Sequence, residues 1–276
     1  METLIMRGKA VAEVLEKEMT EKIENAKKRG KEVCLAVLTV GEDEPSHVYK
    51  NRLINIAKRM GANTKVIELP KETKQEEVEN IIEELNNDQA ITGILPMMPM
   101  PKHIDGDAIG AKVDQNKDVD CLNPLNAGNL YMGKSRWAPC TPRACMATLK
   151  HYGIELSGKH VVVIGRSNVV GKPVALLLLQ ENATVTICHS KTKNMKELLK
   201  TADIVVAAVG RANFVTSEMV KEGVVIVDVG INFYNGKLVG DVDAKVSEKA
   251  SAFTPVPGGI GVVSNIMVMD LLARNL

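Results

Sequence analysis

At 276 residues the chain is long enough for two domains, each with its own core. Its 35 basic and 34 acidic residues leave a formal charge of +1, which supplies no field for nucleic acid or an anionic membrane. Three Phe, one Trp and four Tyr are too few for a base-stacking platform, and no apolar run reaches the ~20 residues of a membrane span.

Val11, Val14, Leu15, Met19 and Ile23 recur at helical spacing up to Gly30. Val33 to Val40 reads as a buried strand and Gly41 to Pro45 as a loop. A helix follows from Ser46 to Met60, stopped by Gly61, then a short strand over Thr64–Glu68. Lys74–Asn86 is a charged amphipathic helix and Ile91–Leu95 another strand. Pro96 to Thr141 is rich in Pro and Gly, reads as irregular, and is long enough to suggest function. A helix is expected from Pro142 to about Tyr152, with strand–helix alternation resuming at His160. Asp203–Ala207 and Val224–Asp228 read as strands, Ser217–Lys221 as a helix, and Val227-Asp228-Val229-Gly230-Ile231-Asn232 is expected to close the sheet. A Pro- and Gly-rich turn from Thr254 to Gly261 precedes an apolar helix to Leu276. That turn suits either a rigid edge for a flat ring or a simple corner. Alternating strands and helices imply an α/β chain with parallel sheets.

Cys34, Cys121, Cys140, Cys145 and Cys188 lack metal-type spacing, so free thiols in a reducing cytosol and no metal site are expected. Glu2, Arg7 and Lys9 interrupt any apolar run at the start, so a cytoplasmic protein without a secretory leader is expected.

The most informative segment runs from Val161 to Pro173. An apolar strand enters a turn at Gly165-Arg166-Ser167, and a helix opens at Gly171, aiming backbone N–H groups and a helix dipole at an anion such as a pyrophosphate. The next strand, Thr184–Cys188, ends at His189-Ser190 without the Asp or Glu that accepts from a ribose 2′-OH. Arg166 offers a planar cation and Ser190 a hydroxyl, which favours NADP over NAD. The plainer alternative makes Arg166 a solvated loop residue and Ser190 the cap of the next helix.

In order, the chain carries Gly93-Ile94-Leu95, Lys117-Asp118-Val119-Asp120, Pro139-Cys140-Thr141-Pro142, Gly165-Arg166-Ser167, Val170-Gly171-Lys172-Pro173 and His189-Ser190. Val227 to Asn232 and Pro255-Val256-Pro257-Gly258-Gly259-Ile260-Gly261 follow. Over nearly its whole length it resembles the FolD-type methylenetetrahydrofolate dehydrogenase/methenyltetrahydrofolate cyclohydrolases. The resemblance implies a catalytic domain over residues 1–141, completed by a helix over 262–276, and an NADP-binding Rossmann-like domain over 142–261. It also implies folate held in the cleft between them and a homodimer. Such enzymes oxidise 5,10-methylene-tetrahydrofolate to the 5,10-methenyl form with NADP+, and many then hydrolyse that product to 10-formyl-tetrahydrofolate.

By the same resemblance, Tyr49 packs on the folate ring and Asp120 binds the pterin edge, where a carboxylate accepts two N–H groups side by side. Read without it, Asp120 fits a turn cap after Lys117. Pro257, Gly258 and Gly259 would line the pterin pocket. Thr141, Gly165, Arg166, Ser167, Ser190, Gly230, Ile231 and Ser264 map to the nucleotide. A shikimate-type dehydrogenase shares the layout, but its Lys–Asp pair is poorly imitated by Lys117 and Asp120. A nucleotide-binding scaffold without activity is a third reading, against which stand Tyr49 and Asp120.

Two departures bear on chemistry. The family pattern Tyr-x-x-x-Lys places its lysine at Leu53, and Gly-Ile-Leu-Val-Gln-Leu-Pro places its glutamine at Met97. By the resemblance that lysine handles protons and water in cyclohydrolysis, held by the glutamine, and leucine does neither. Hydride transfer needs only positioning and exclusion of water. A dehydrogenase with weak or absent cyclohydrolase activity is therefore expected. The alternative is full bifunctionality through a substitute such as His47 or Lys50. Smaller departures are Cys121 in place of a glycine, Ala144 in place of another, and Val262-Val263-Ser264 in place of Pro-Met-Thr.

Overall fold

In the computed structural model, which describes residues 2–41, 44–134, 138–274 and 276, the chain opens with β1 (Leu4–Ile5) and α1 (Gly8–Lys28). Val11, Met19, Ile23 and Ala26 of α1 are buried at helical spacing, and Gly30, at φ 77°, ends the helix through a bond from its N–H to the Lys27 carbonyl. Part of the expected Gly41–Pro45 loop, residues 42 and 43, lies outside the described residues.

The chain forms two compact units: Val14–Cys140 with Asn265–Leu276, and Met1–Glu13 with Thr141–Ser264. The first alternates β2 (Cys34–Val40), α2 (Glu44–Arg59), β3 (Asn63–Leu69), α3 (Gln75–Asn87) and β4 (Gly93–Pro96), giving a parallel sheet of order β3-β2-β4. Ala36, Leu38, Ile82, Leu85, Ile94 and Ile109 share one buried cluster. A side chain at Gly93 would strike Val119 and Leu272, so only glycine lets these elements close.

The stretch after Pro96 is less irregular than expected, because it holds α4 (Gly106–Lys112) and α5 (Pro124–Tyr131). Both are started by side-chain caps. Asp105 accepts from the N–H groups of Asp107 and Ala108, and Asn123 from that of Leu125, with Pro124 in the first turn.

The second unit takes up α6 (Cys140–His151), β5 (His160–Ile164), α7 (Gly171–Gln180), β6 (Thr184–Cys188), α8 (Met195–Thr201), β7 (Ile204–Ala207) and β8 (Val225–Asp228). Then come β9 (Asn232–Tyr234), β10 (Lys237–Val239), β11 (Ala252–Phe253) and α9 (Ile260–Arg274). The sheet is parallel throughout, in the order β1-β11-β8-β7-β5-β6, so the expected α/β class with parallel sheets holds.

Two expectations fail here. Residues 227–232 do not close the sheet: β8 stops at Asp228, and Asn232 begins a hairpin with β10 turned by Asn235-Gly236, both at positive φ. Closure falls to β11 and β1. The expected helix over Ser217–Lys221 is only a 3-10 turn, Ser217–Met219. No helix among the described residues is long and apolar enough to cross a membrane.

Candidate active site

In the first unit the site residues gather around α2 and the segment that runs beside β4. Ile94 donates to the Lys117 carbonyl at 2.7 Å, which lays Asp118 against β4. Lys117 and Asp118 then serve the fold. The Lys117 ammonium donates to the carbonyls of Leu85, Asn86 and Asp88 and so closes the C-terminus of α3. The fully buried Asp118 carboxylate accepts from the N–H groups of Asp120, Leu122 and Asn123 and from the Asn126 amide, which folds the loop around it. Lys117 is therefore no partner for Asp120 in a shikimate-type pair.

Asp120 is not a cap of its own turn. Its Oδ1 accepts from the Cys140 N–H at 3.0 Å, at the start of α6. Burial pushes its carboxyl up to about 6, against the pull of the Cys140 N–H and thiol. Burial first, then Cys140 and Asp120, drive the Tyr49 phenol far above the usual range, against the opposing pull of the Arg52 cation. Arg52 is exposed and carries no hydrogen bond or ion pair among the described residues. The structure thus brings Tyr49 and Asp120 together.

Leu53 stands one turn beyond Tyr49 on the same face of α2 and is fully buried. Met97, just past β4, is 5 % exposed and hydrogen-bonds through its backbone to Leu38. Lys50, one of the suggested substitutes, is 4 % exposed, and its ammonium is held by Glu68 and by the other substitute, His47, whose Nδ1 lies 3.0 Å away. His47 and Glu68 line a cleft of about 950 Å³ at the carboxyl ends of β2, β3 and β4, with Lys71, Pro99 and Met100 among its walls. No motif in the sequence marks this cleft. Its signal is its place at the edge where open α/β sheets take ligands.

The second unit carries the nucleotide candidates. Gly165 has φ 127°, and a side chain there would strike the Ala208 carbonyl; one at Gly171 would strike the Gly165 carbonyl. The turn therefore closes tightly onto the exit of the neighbouring strand β7. Its donors are less free than the sequence suggests, because the N–H groups of Val170 and Gly171 donate to Ser167 Oγ at 3.2 and 3.4 Å. The Ser167 hydroxyl proton remains available to an anion. Arg166 is exposed and makes no hydrogen bond or ion pair among the described residues.

Ser190 does not cap the following helix. Asn194 precedes α8 in a left-handed conformation, while Thr192 closes the turn by accepting from the His189 N–H at 2.9 Å. Ser190 is exposed, with its hydroxyl unpaired among the described residues. Ile231 is 63 % exposed and Gly230 donates to Asp228 at 2.9 Å. The hydroxyls of Thr141 and Ser264 lie 3.0 Å apart. Pro257 and Gly258 are exposed, Gly259 is buried, and the Gly258 carbonyl accepts from the Gly8 N–H at 2.8 Å. All three belong to this second unit.

Comparison with known proteins matches two family models: the catalytic domain of tetrahydrofolate dehydrogenase/cyclohydrolase over residues 6–120, and its NAD(P)-binding domain over residues 139–275. The bifunctional protein FolD of Lactobacillus acidophilus is 46 % identical over 271 residues, covering 98 % of this chain and 96 % of the relative. The bifunctional FolD methylenetetrahydrofolate dehydrogenase/cyclohydrolase of Campylobacter jejuni superposes with a TM-score of 0.97 at 40 % identity, covering 99 % of this chain and 98 % of that one. The FolD enzyme of Trypanosoma brucei, solved with NADP cofactor and an inhibitor, gives a TM-score of 0.94 at 35 % identity, covering 100 % of this chain and 97 % of that one.

Proposed function

The chain belongs to the tetrahydrofolate dehydrogenase/cyclohydrolase family, and from that premise we propose that it oxidises 5,10-methylene-tetrahydrofolate to the 5,10-methenyl form with NADP+, with cyclohydrolase activity weak or absent. In this scheme Tyr49 packs on the folate ring and fixes its plane. Asp120 accepts the paired N–H groups of the pterin edge, and the Cys140 N–H on Oδ1 orients the carboxylate for it.

The second unit fits a dinucleotide on its own geometry: glycines where side chains would block the turn, and an unpaired cation in it. NADP+ when bound supplies the hydride acceptor. Arg166 and Ser190 take the 2′-phosphate, because no carboxylate at the end of β6 opposes it. Ser167, Thr141, Ser264, Gly230 and Ile231 line the rest of the nucleotide. The chain itself adds position and dryness, which is what hydride transfer requires.

One observation carries the weak-cyclohydrolase reading: the family lysine's position is a fully buried leucine. The suggested substitutes do not restore an amine there, since Lys50 is engaged by Glu68 and His47. The test is a pair of assays on the purified chain. NADPH should appear with methylene-tetrahydrofolate, while methenyl-tetrahydrofolate should be lost at close to its spontaneous rate. Enzymatic hydrolysis far above that rate would refute the second half of the proposal.

The edge strand β6, with Ile187 and Leu179 exposed nearby, suits pairing with a second copy, which supports a homodimer that light scattering would test. Five free cysteines agree with a cytoplasmic setting.

A further inference from the structure

We propose that Asp228 and Asp241 act together as a brace that positions the nicotinamide half of the nucleotide site. The inference rests on the nucleotide reading above and concerns residues that reading leaves unused. Parallel register sets Ile164 beside Ala207 and Ala207 beside Asp228. The segments leaving β5, β7 and β8 therefore emerge at one edge of the sheet. Strand order reverses beside β5, with β6 on one side and β7 and β8 on the other. Ligands of open α/β sheets sit at such a reversal, which gives the β6 side to the adenosine end and the β7–β8 side to the nicotinamide end.

Both carboxylates are buried, at 1 % and 0 % exposure, and neither pairs with a lysine or arginine among the described residues. They are instead filled by N–H donors from the segments at that edge. Asp241 accepts from the backbone N–H groups of Val209, Gly210 and Arg211 at 2.6, 3.0 and 2.9 Å, and from the Asn232 amide at 2.9 Å. Asp228 accepts from Gly230, Val242 and Asp241 itself, each at 2.9 Å. Side chains at Gly230 and Gly240 would strike the carboxylates of Asp241 and Asp228 respectively, so both glycines make room for the pair.

Turning these N–H groups inward fixes the loop after β7 and the segment holding Gly230 and Ile231. The Ala208 carbonyl, at the root of the first loop, is also the atom that limits Gly165. Two unpaired buried carboxylates are a costly way to hold a loop. Seven donors converging on four oxygens offset that cost only while both side chains stay acceptors, and an asparagine amide would point a donor at donors.

The experiment titrates the full chain calorimetrically with NADP+ and with adenosine 2′,5′-bisphosphate, which fills only the adenosine end. In Asp241→Asn, NADP+ should bind at least tenfold more weakly, while the bisphosphate stays within twofold. Asn232→Ala removes one donor and leaves both carboxylates. It should show the same selectivity at about threefold, and it carries the test if Asp241→Asn does not fold. Unchanged NADP+ affinity in a folded variant would overturn the brace, as would parallel weakening of both ligands, which marks general loosening. Failure of the unaltered chain to bind NADP+ would overturn the nucleotide reading itself.

Discussion

Replacing Leu53 by lysine, alone and with Met97→Gln, puts the missing amine back where the family pattern has it. The magnitude follows from burial. Leu53 is fully buried, so its removal forfeits about 1.5–3 kcal/mol of apolar burial. An ammonium left unpaired there costs several kcal/mol more, part of which it escapes by shedding its proton. A net loss of roughly 3–5 kcal/mol is expected for the single variant, which lowers the melting temperature by roughly 10 °C or more. Adding glutamine at 97 supplies an acceptor and should return about 1–2 kcal/mol.

The same desolvation that destabilises the variant drives the lysine toward neutrality, where it becomes a usable base. Hydrolysis of methenyl-tetrahydrofolate, followed by loss of its absorbance near neutral pH, should rise about 100-fold over the unaltered chain in the double variant. NADP+-dependent oxidation should change less. A folded double variant that hydrolyses no faster would refute the idea that Leu53 and Met97 limit this step.

Asp120 gives a pH prediction. Burial lifts its carboxyl to about 6, and in the proposed scheme it binds the pterin as the anion, so apparent folate affinity should fall as pH drops through 6. The KM for methylene-tetrahydrofolate should rise about tenfold between pH 7 and pH 5, and Asp120→Asn should be weak at both and flat between them. For Arg166→Ala, loss of a charge-assisted bond to the 2′-phosphate should raise the KM for NADP+ roughly 10- to 100-fold and leave that for NAD+ nearly unchanged; parallel loss of both would count against the assignment. Cys121 sits at φ 55°, where the family has glycine, so Cys121→Gly should raise stability to denaturant by roughly 0.5–1 kcal/mol, and a lowered midpoint would contradict the strain argument.

Periodicity reveals elements that repeat and conceals those set by a single bond. The strands at Cys34–Val40 and His160–Ile164 are near-continuous apolar runs, as doubly covered parallel strands must be, and are legible at once. α4 and α5 are too short for a period to show; their signals are the capping side chains of Asp105 and Asn123, which compete with the surrounding Pro and Gly. Residues 227–232 mislead for the opposite reason. The apolar alternation continues past Asp228, but the Gly230 N–H turns back to the Asp228 carboxylate, while Asp241 takes the N–H groups of Val209, Gly210 and Arg211 in the segment leaving the neighbouring strand β7, so no ladder continues there.

The same division holds at the site. Residue type is legible, so an absent lysine at 53 and an absent carboxylate at the end of β6 can be seen in the sequence alone. A side chain's partner is not, because it comes from distant chain. Lys117 and Asp118 look like catalytic groups until their acceptors and donors, the end of α3 and the loop at 122–126, are known. Asp120, two residues further on, differs from Asp118 chiefly in what it lacks: Asp118 is filled by four donors from its own loop, whereas Asp120 is met by Cys140 alone, through its N–H and thiol, and keeps acceptor capacity to spare. That spare capacity on a partly desolvated carboxylate, beside a tyrosine, is what supports Asp120 rather than Asp118 as the proposed folate contact.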